Sequence, residues 1–215
     1  MTARVVADDA EGRALAMGVL REGGIVALPT DTVYGIAVSL TTPGGIERLY
    51  RVKERPPDKA VMLLLDDVGQ AARAGRITPA AAALASAFWP GGLTLVVPQR
   101  PDVPWPAVLT GGSATIGLRV PDHDAPRTLA RGVGPLPTTS ANRSGVPEAS
   151  DAAGVVAQLG DAIDLVLDGG PAPGGLASTI VDCSGARPTI VRAGAVPFGS
   201  VAAILAAAGI DLAVG

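Results

Sequence analysis

The chain has 215 residues, of which 48% are hydrophobic and only 3% aromatic, and its formal net charge is −3. That length predicts one domain spanning 1–215, with a core of Val, Leu, Ile and Ala in place of aromatic rings. The acidic balance argues against a general nucleic-acid coat protein, and a lone cysteine, Cys183, excludes an intrachain disulfide and a multi-cysteine zinc site.

Asp8 and Asp9 are good N-caps for a helix running to about Glu22, which Gly23-Gly24 closes. The apolar runs Ile25 to Leu28 and Val33 to Leu40 predict strands. Gly45 to Lys53 has helical spacing, with Ile46, Leu49 and Tyr50 on one face. Val61 to Leu65 predicts a buried strand, and Asp66-Asp67 after it reads as a helix cap rather than a metal pair. Helices are expected at 67–74 and 79–88. Leu93 to Val97 and Thr115 to Val120 predict strands on either side of a Pro/Gly-rich connection. A helix at 124–131, a strand near 136–139, a helix at 151–159 and a strand at 164–168 follow. Strands at 178–182 and 188–192 precede a last helix from about 199 to 208. This alternation, with some adjacent strand pairs, predicts an α/β (α+β) fold with a mixed sheet.

No charged start followed by an apolar core marks a signal peptide. The uncharged stretches Ile77 to Gln99 and Ala193 to Ile210 are broken by Pro90-Gly91-Gly92 and by Pro197 with several glycines, so neither is expected to span a membrane. A cytoplasmic location is expected. Cys183 lies in an apolar run and reads as a small core residue. The single histidine, His123, would have to serve any Ser-His-Asp triad, and no Gly-x-Ser-x-Gly elbow accompanies it.

Only two of the seventeen basic residues are lysines, and both flank Arg55 in Lys53-Glu54-Arg55-Pro56-Pro57-Asp58-Lys59. A lysine is a compact point charge and an arginine a flat fork of donors, so the segment suits a polyanion. It equally suits a solvated helix end with cations near the C-terminal dipole. Pro29-Thr30-Asp31-Thr32-Val33-Tyr34-Gly35, Thr138-Thr139-Ser140-Ala141-Asn142, Ser178-Thr179 and Arg192-Ala193-Gly194 place hydroxyls, an amide and a guanidinium at strand ends, where α/β sheets hold ligands. Singly, each reads as well as turn and cap chemistry. No Walker-type or Gly-x-Gly-x-x-Gly loop is present, so phosphate binding would come from side chains and irregular backbone.

Taken in order, Pro29 to Gly35, Lys53-x-Arg55-Pro56, Pro90-Gly91-Gly92-Leu93-Thr94, Arg119-Val120-Pro121, Ser140-Ala141-Asn142, Ser178-Thr179 and Arg192-x-Gly194 resemble the YrdC-like threonylcarbamoyl-AMP synthase family. The resemblance implies a twisted mixed sheet with flanking helices and a concave, basic cavity. It implies a nucleotidyltransferase reaction in which L-threonine, bicarbonate and ATP, with Mg2+, give threonylcarbamoyl-AMP and pyrophosphate. The product would pass to a tRNA-modifying transferase complex, with a tRNA or RNA contact possible. By the same resemblance Lys53, Arg55, Thr115, Ser140, Asn142 and Arg192 would line the ATP side, with Lys53 and Arg55 acting on the phosphates. Thr32, Arg119, Thr138 and Ser178 would hold threonine, with Tyr34 shaping the pocket. No metal-ligating side chain can be named.

The chain departs from some family members. Ala60, Val61 and Leu64 stand where a Pro-Leu pair and a histidine occur, and Glu148 replaces a serine near the nucleotide. The second domain of longer members is not expected after Gly215. Two other readings compete: a non-catalytic RNA- or nucleotide-binding paralogue, and an enzyme that adenylates carbamate itself, as in hydrogenase maturation.

Overall fold

Adjacent apolar residues along the strands separate onto opposite faces of one sheet, and residues two apart share a face. Val26, Leu28 and Ala37 belong to one buried cluster, while Ala27, Ile36 and Val38 belong to the other. Strands buried on both faces read as unbroken apolar runs, which is why alternation is faint in the sequence. The computed structural model describes residues 2–56 and 58–213. Its strands are β1 (Arg4–Ala7), β2 (Val26–Leu28), β3 (Gly35–Ala37), β4 (Met62–Leu64), β5 (Leu93–Pro98), β6 (Thr115–Arg119), β7 (Leu136–Ser140), β8 (Leu165–Asp168), β9 (Thr179–Asp182) and β10 (Thr189–Arg192). The helices are α1 (Ala10–Arg21), α2 (Gly45–Lys53), α3 (Val68–Ala74), α4 (Pro79–Phe88), α5 (Ala107–Thr110), α6 (Asp124–Val133), α7 (Ala152–Leu159) and α8 (Phe198–Ala207).

The strands form a single mixed sheet in the order β1-β8-β2-β3-β7-β4-β6-β5-β9-β10. Parallel pairs (β1 with β8, β2 with β8, β4 with β6, β5 with β9) alternate with antiparallel ones, as expected for an α/β fold with adjacent strand pairs. The expected strand over Val33 to Leu40 shrinks to β3. Strand β1, which the sequence did not announce, adds to β8 at the sheet edge. Helix α5 is a single turn inside the Pro/Gly-rich connection.

The two faces are covered unequally. Helices α1 and α6 supply Ala16, Leu20, Ala125, Leu129 and Ala130 to a smaller cluster over β2, β3 and β8. On the opposite face α2, α4, α7 and α8 build the larger core, with Ile46, Leu49, Leu84, Val155 and Leu205. A fully buried leucine contributes roughly 1.5–3 kcal/mol, so both layers are needed. Caps fix the helix starts: Asp9 accepts from Gly12 N–H, Asp67 from Gln70, Thr78 from Ala81 and Asp151 from Gly154. Asp67 thus caps α3 as expected, while Asp66 pairs with Arg131 at 2.7 Å. No helix among the described residues is long and apolar enough to cross a membrane.

Candidate functional site

On the face carrying α1 and α6, helical cover stops at β4 and β7. The strands beyond leave that face open as the floor of a cavity of about 290 Å³. Residues two apart supply the floor: Met62 and Leu64 on β4, Thr94 and Val96 on β5, Thr115, Gly117 and Arg119 on β6, Thr138 and Ser140 on β7. Their neighbours Leu63, Leu95, Leu118 and Ile116 point into the larger core. Strand β3 and strand β9 are five positions apart in the sheet, yet the loop after β2 and the segment before β9 meet. Gly175 N–H donates to Thr32 O at 3.1 Å. A Cβ at Gly174 would lie 2.6 Å from Asp31 O, so only glycine permits this approach. The sheet therefore curls, which brings the loop after β2 against the segment before β9.

Of the eleven residues expected at the site, nine line this one cavity: Thr32, Tyr34, Arg55, Thr115, Arg119, Thr138, Ser140, Ser178 and Arg192. At the end near the loop after β2, Arg119 is 2% exposed and uses three of its five N–H bonds within the protein. Its Nε donates to Gly91 O at 3.0 Å, Nη1 to Thr32 Oγ1 at 2.8 Å and Nη2 to Asp31 Oδ1 at 2.6 Å. Burial lowers its pKa and Asp31 opposes that shift. Thr32 Oγ1 also lies 3.0 Å from Thr30 Oγ1. Thr138 lines the cavity, and its hydroxyl donates to Leu136 O at 2.8 Å. Tyr34 contributes its ring as a wall. Its hydroxyl donates to Gly170 O at 2.7 Å and accepts from Gly169 N–H at 3.2 Å, and burial raises its pKa. Thr115 lies at the rim beside Ser113.

Two further arginines, Arg55 and Arg192, line the same cavity. The Arg55 fork curls over its own loop, with Nε on Lys59 O at 2.9 Å and Nη2 on Ala60 O at 2.6 Å. Arg192 leans on Ser178 O through Nε at 3.1 Å and Nη2 at 2.8 Å. Helix α2 ends in a left-handed Glu54 (φ 50°), which directs Lys53 inward and Arg55 toward the cavity.

Lys53 and Asn142 stand just behind the lining. The Lys53 ammonium is 5% exposed and donates to Ser140 O (2.7 Å), Ser140 Oγ (3.1 Å), Asn142 O (2.7 Å) and Asn142 Oδ1. Ser140 Oγ in turn donates to Asn142 Oδ1 at 2.6 Å. Burial, with Arg55 nearby, lowers the ammonium pKa from 10.5 to about 8, and Glu148 pulls the other way. Glu148 also raises the pKa of Arg192, which burial and Arg55 lower, so this carboxylate acts on two members of the cationic group.

A pH prediction follows from Lys53. Its folded pKa lies below the unfolded one, so between about 8 and 10.5 the unfolded chain binds more protons and folding stability rises with pH. A neutral amine has only two N–H bonds for four oxygens, so the Ser140–Asn142 turn loosens over the same range. Thermal melts should therefore improve slightly above pH 8 while kcat/KM for the nucleotide falls. A turnover profile flat through that window would contradict the assignment.

Neither the lone cysteine nor the lone histidine lines the cavity. Cys183 is buried in the larger core, and burial pushes its thiol up to about 12. His123 caps α6 by accepting from Ala125 N–H. Three lining or supporting residues were quoted in motifs but not assigned: Thr30, Asp31 and Thr94. Only the position of Thr30 and Asp31 between two apolar runs could have singled them out. Among the described residues no group of three or more His, Cys, Asp or Glu could hold a metal.

The Sua5/YciO/YrdC family model, described as telomere recombination, matches residues 18–194. A Bacillus subtilis protein named threonylcarbamoyl-AMP synthase is 34% identical over 200 residues, 92% of this chain and 58% of that relative. A Mycobacterium tuberculosis relative is 38% identical over 199 residues, 92% of this chain and 89% of its own length. The crystal structure of Pyrococcus abyssi Sua5 complexed with L-threonine superposes with a TM-score of 0.88 at 32% identity, over 95% of this chain and 61% of that one. The chain thus spans less than two thirds of the Bacillus and Pyrococcus proteins and most of the mycobacterial one. The match runs from α1 past β10 and takes in every strand that floors the cavity, and on that ground the chain belongs to the Sua5/YciO/YrdC family.

Proposed function

We propose that this chain is a threonylcarbamoyl-AMP synthase, joining L-threonine, bicarbonate and ATP into threonylcarbamoyl-AMP and pyrophosphate. One observation carries the reading: a single cavity is lined by a buried, braced arginine, Arg119, and by two further arginines, Arg55 and Arg192. It does so in a chain that shares its fold with a protein solved with L-threonine. Arg119, backed by Thr32, suits an amino-acid carboxylate, with Thr138 and Ser178 as hydroxyl partners and the Tyr34 ring as a wall. Arg55 and Arg192 suit a triphosphate. Lys53 and Asn142 support it by shaping the turn that presents Ser140, and Thr115 borders the nucleotide side.

The threonine amine and bicarbonate give a carbamate and water. A carbamate oxygen then attacks the α-phosphorus, and pyrophosphate leaves with the electron pair of the broken P–O bond. No protein nucleophile is needed, which agrees with the placement of Cys183 and His123 away from the cavity. The side chains contribute alignment and compensation of phosphate charge. The carboxylates present do not fit a dedicated magnesium cage, because Asp31 is engaged by Arg119 and Glu148 stands alone among cations. Magnesium is accordingly treated as part of the substrate, MgATP. The adenylate would pass to a tRNA-modifying transferase in the cytoplasm.

The test is pyrophosphate release from MgATP with threonine and bicarbonate omitted in turn. Release that needs both is the expected result. Release without threonine would indicate another adenylating activity, and no release from folded protein would sink the reading.

A further inference from the structure

Thr94 is 2% exposed, lines the cavity and places its Oγ1 at 2.8 Å from Ser178 Oγ. Ser178, itself 1% exposed, also accepts from Arg192 Nη2 at 3.1 Å. One hydroxyl therefore stands between the nucleotide-side arginine and the floor of the threonine side. A serine hydroxyl has one proton and two lone pairs. With Arg192 on one lone pair, two arrangements remain. In the first, Ser178 donates to Thr94, and Thr94 donates to Met62 Sδ at 3.4 Å. In the second, Thr94 donates to Ser178, and the Ser178 proton turns into the cavity. A thioether is a weak acceptor, so leaving it costs little.

We infer that Thr94 is a positioning residue: by donating into the Ser178 lone pair that Arg192 leaves free, it keeps the Ser178 proton from turning back and aims it at the amino-acid carboxylate, so that threonine and nucleotide bind with positive coupling. The inference rests on the synthase reading above. A nucleotide fixes Arg192, Arg192 polarises the Ser178 hydroxyl, and a polarised hydroxyl is a stronger donor to a carboxylate. Coupling of this kind is reciprocal: threonine must raise nucleotide affinity by the same factor.

Calorimetric titration of L-threonine, alone and with saturating α,β-methylene-ATP, tests this without turnover, because the methylene bridge prevents pyrophosphate release. The expected result is threonine affinity about fivefold or more higher with the analogue present. Thr94→Val should reduce that factor toward one while each ligand still binds alone, and Thr94→Ser should restore it. A residue needed only for packing would not move the ratio in this way. Independent or antagonistic binding in the unaltered protein overturns the inference and leaves the synthase reading standing, as does a full coupling factor in Thr94→Val. Failure of both ligands to bind overturns both.

Discussion

Replacing Lys53 with alanine is expected to reduce threonine-dependent pyrophosphate release by roughly 10²–10³-fold, a loss comparable to that of a positioned donor, because the turn that presents Ser140 to the cavity loses its anchor. The effect should come from geometry as much as from charge. The ammonium has three N–H bonds and four oxygens around it, two from Ser140 and two from Asn142. Asn142 then reaches on through Nδ2 to Val146 O and Arg143 O, so the whole turn from Ser140 to Val146 hangs on this ammonium. Its removal leaves buried acceptors unpaired at a cost of about 1–3 kcal/mol, visible as a lower melting temperature. Lys53→Arg separates the two contributions. A guanidinium keeps the charge but presents a flat fork where a compact, tetrahedral donor is enclosed. It should therefore fail nearly as badly as alanine. Turnover within tenfold of the unaltered protein in folded Lys53→Ala would remove Lys53 from the site. Recovery in Lys53→Arg would mean that positive charge alone matters.

The tie between Lys53 and Asn142 also shows where sequence reading stops. Helix α2 was legible to its last residue, because Gly45 to Lys53 places Ile46, Leu49 and Tyr50 on one face and a proline pair follows. That its final side chain would close on a loop 89 residues later has no local signature. Strand β1 was not legible because its apolar run, Val5-Val6-Ala7, is only three residues long and lies mostly exposed at the sheet edge. Helix α5 is too short to show a period. At the site, Arg119, Ser178 and Arg192 stood out as polar residues bounding apolar runs. Thr94 did not, since a β-branched residue inside a strand is ordinary; only the pairing of β5 with β9, which sets Leu93 opposite Thr179, brings its hydroxyl against Ser178. His123 illustrates the converse case: a chemically suggestive residue whose position at the start of a helix accounts for it.

Arg119 offers the second large effect, and here stability and binding should come apart. Its three directed bonds reach Gly91, Thr32 and Asp31, and it is the largest of the fully buried side chains. Arg119→Ala strands the Asp31 carboxylate, which is 15% exposed; breaking a fully buried pair costs about 3–5 kcal/mol, and this partly solvated one should cost less. Removing both partners in Asp31→Ala/Arg119→Ala abolishes the uncompensated charge, so much of that loss should return in chemical denaturation. Threonine binding should not return, because the carboxylate clamp is still missing. Both variants are expected to show threonine affinity lowered by roughly 100-fold or more, the cost of an unpaired buried carboxylate converted by RT ln 10. If the double variant binds threonine normally, Arg119 is a structural brace and the carboxylate is held elsewhere in the cavity. If it regains stability without regaining binding, the buried pair has two separable roles: Asp31 holds the guanidinium in place, and the guanidinium holds the substrate.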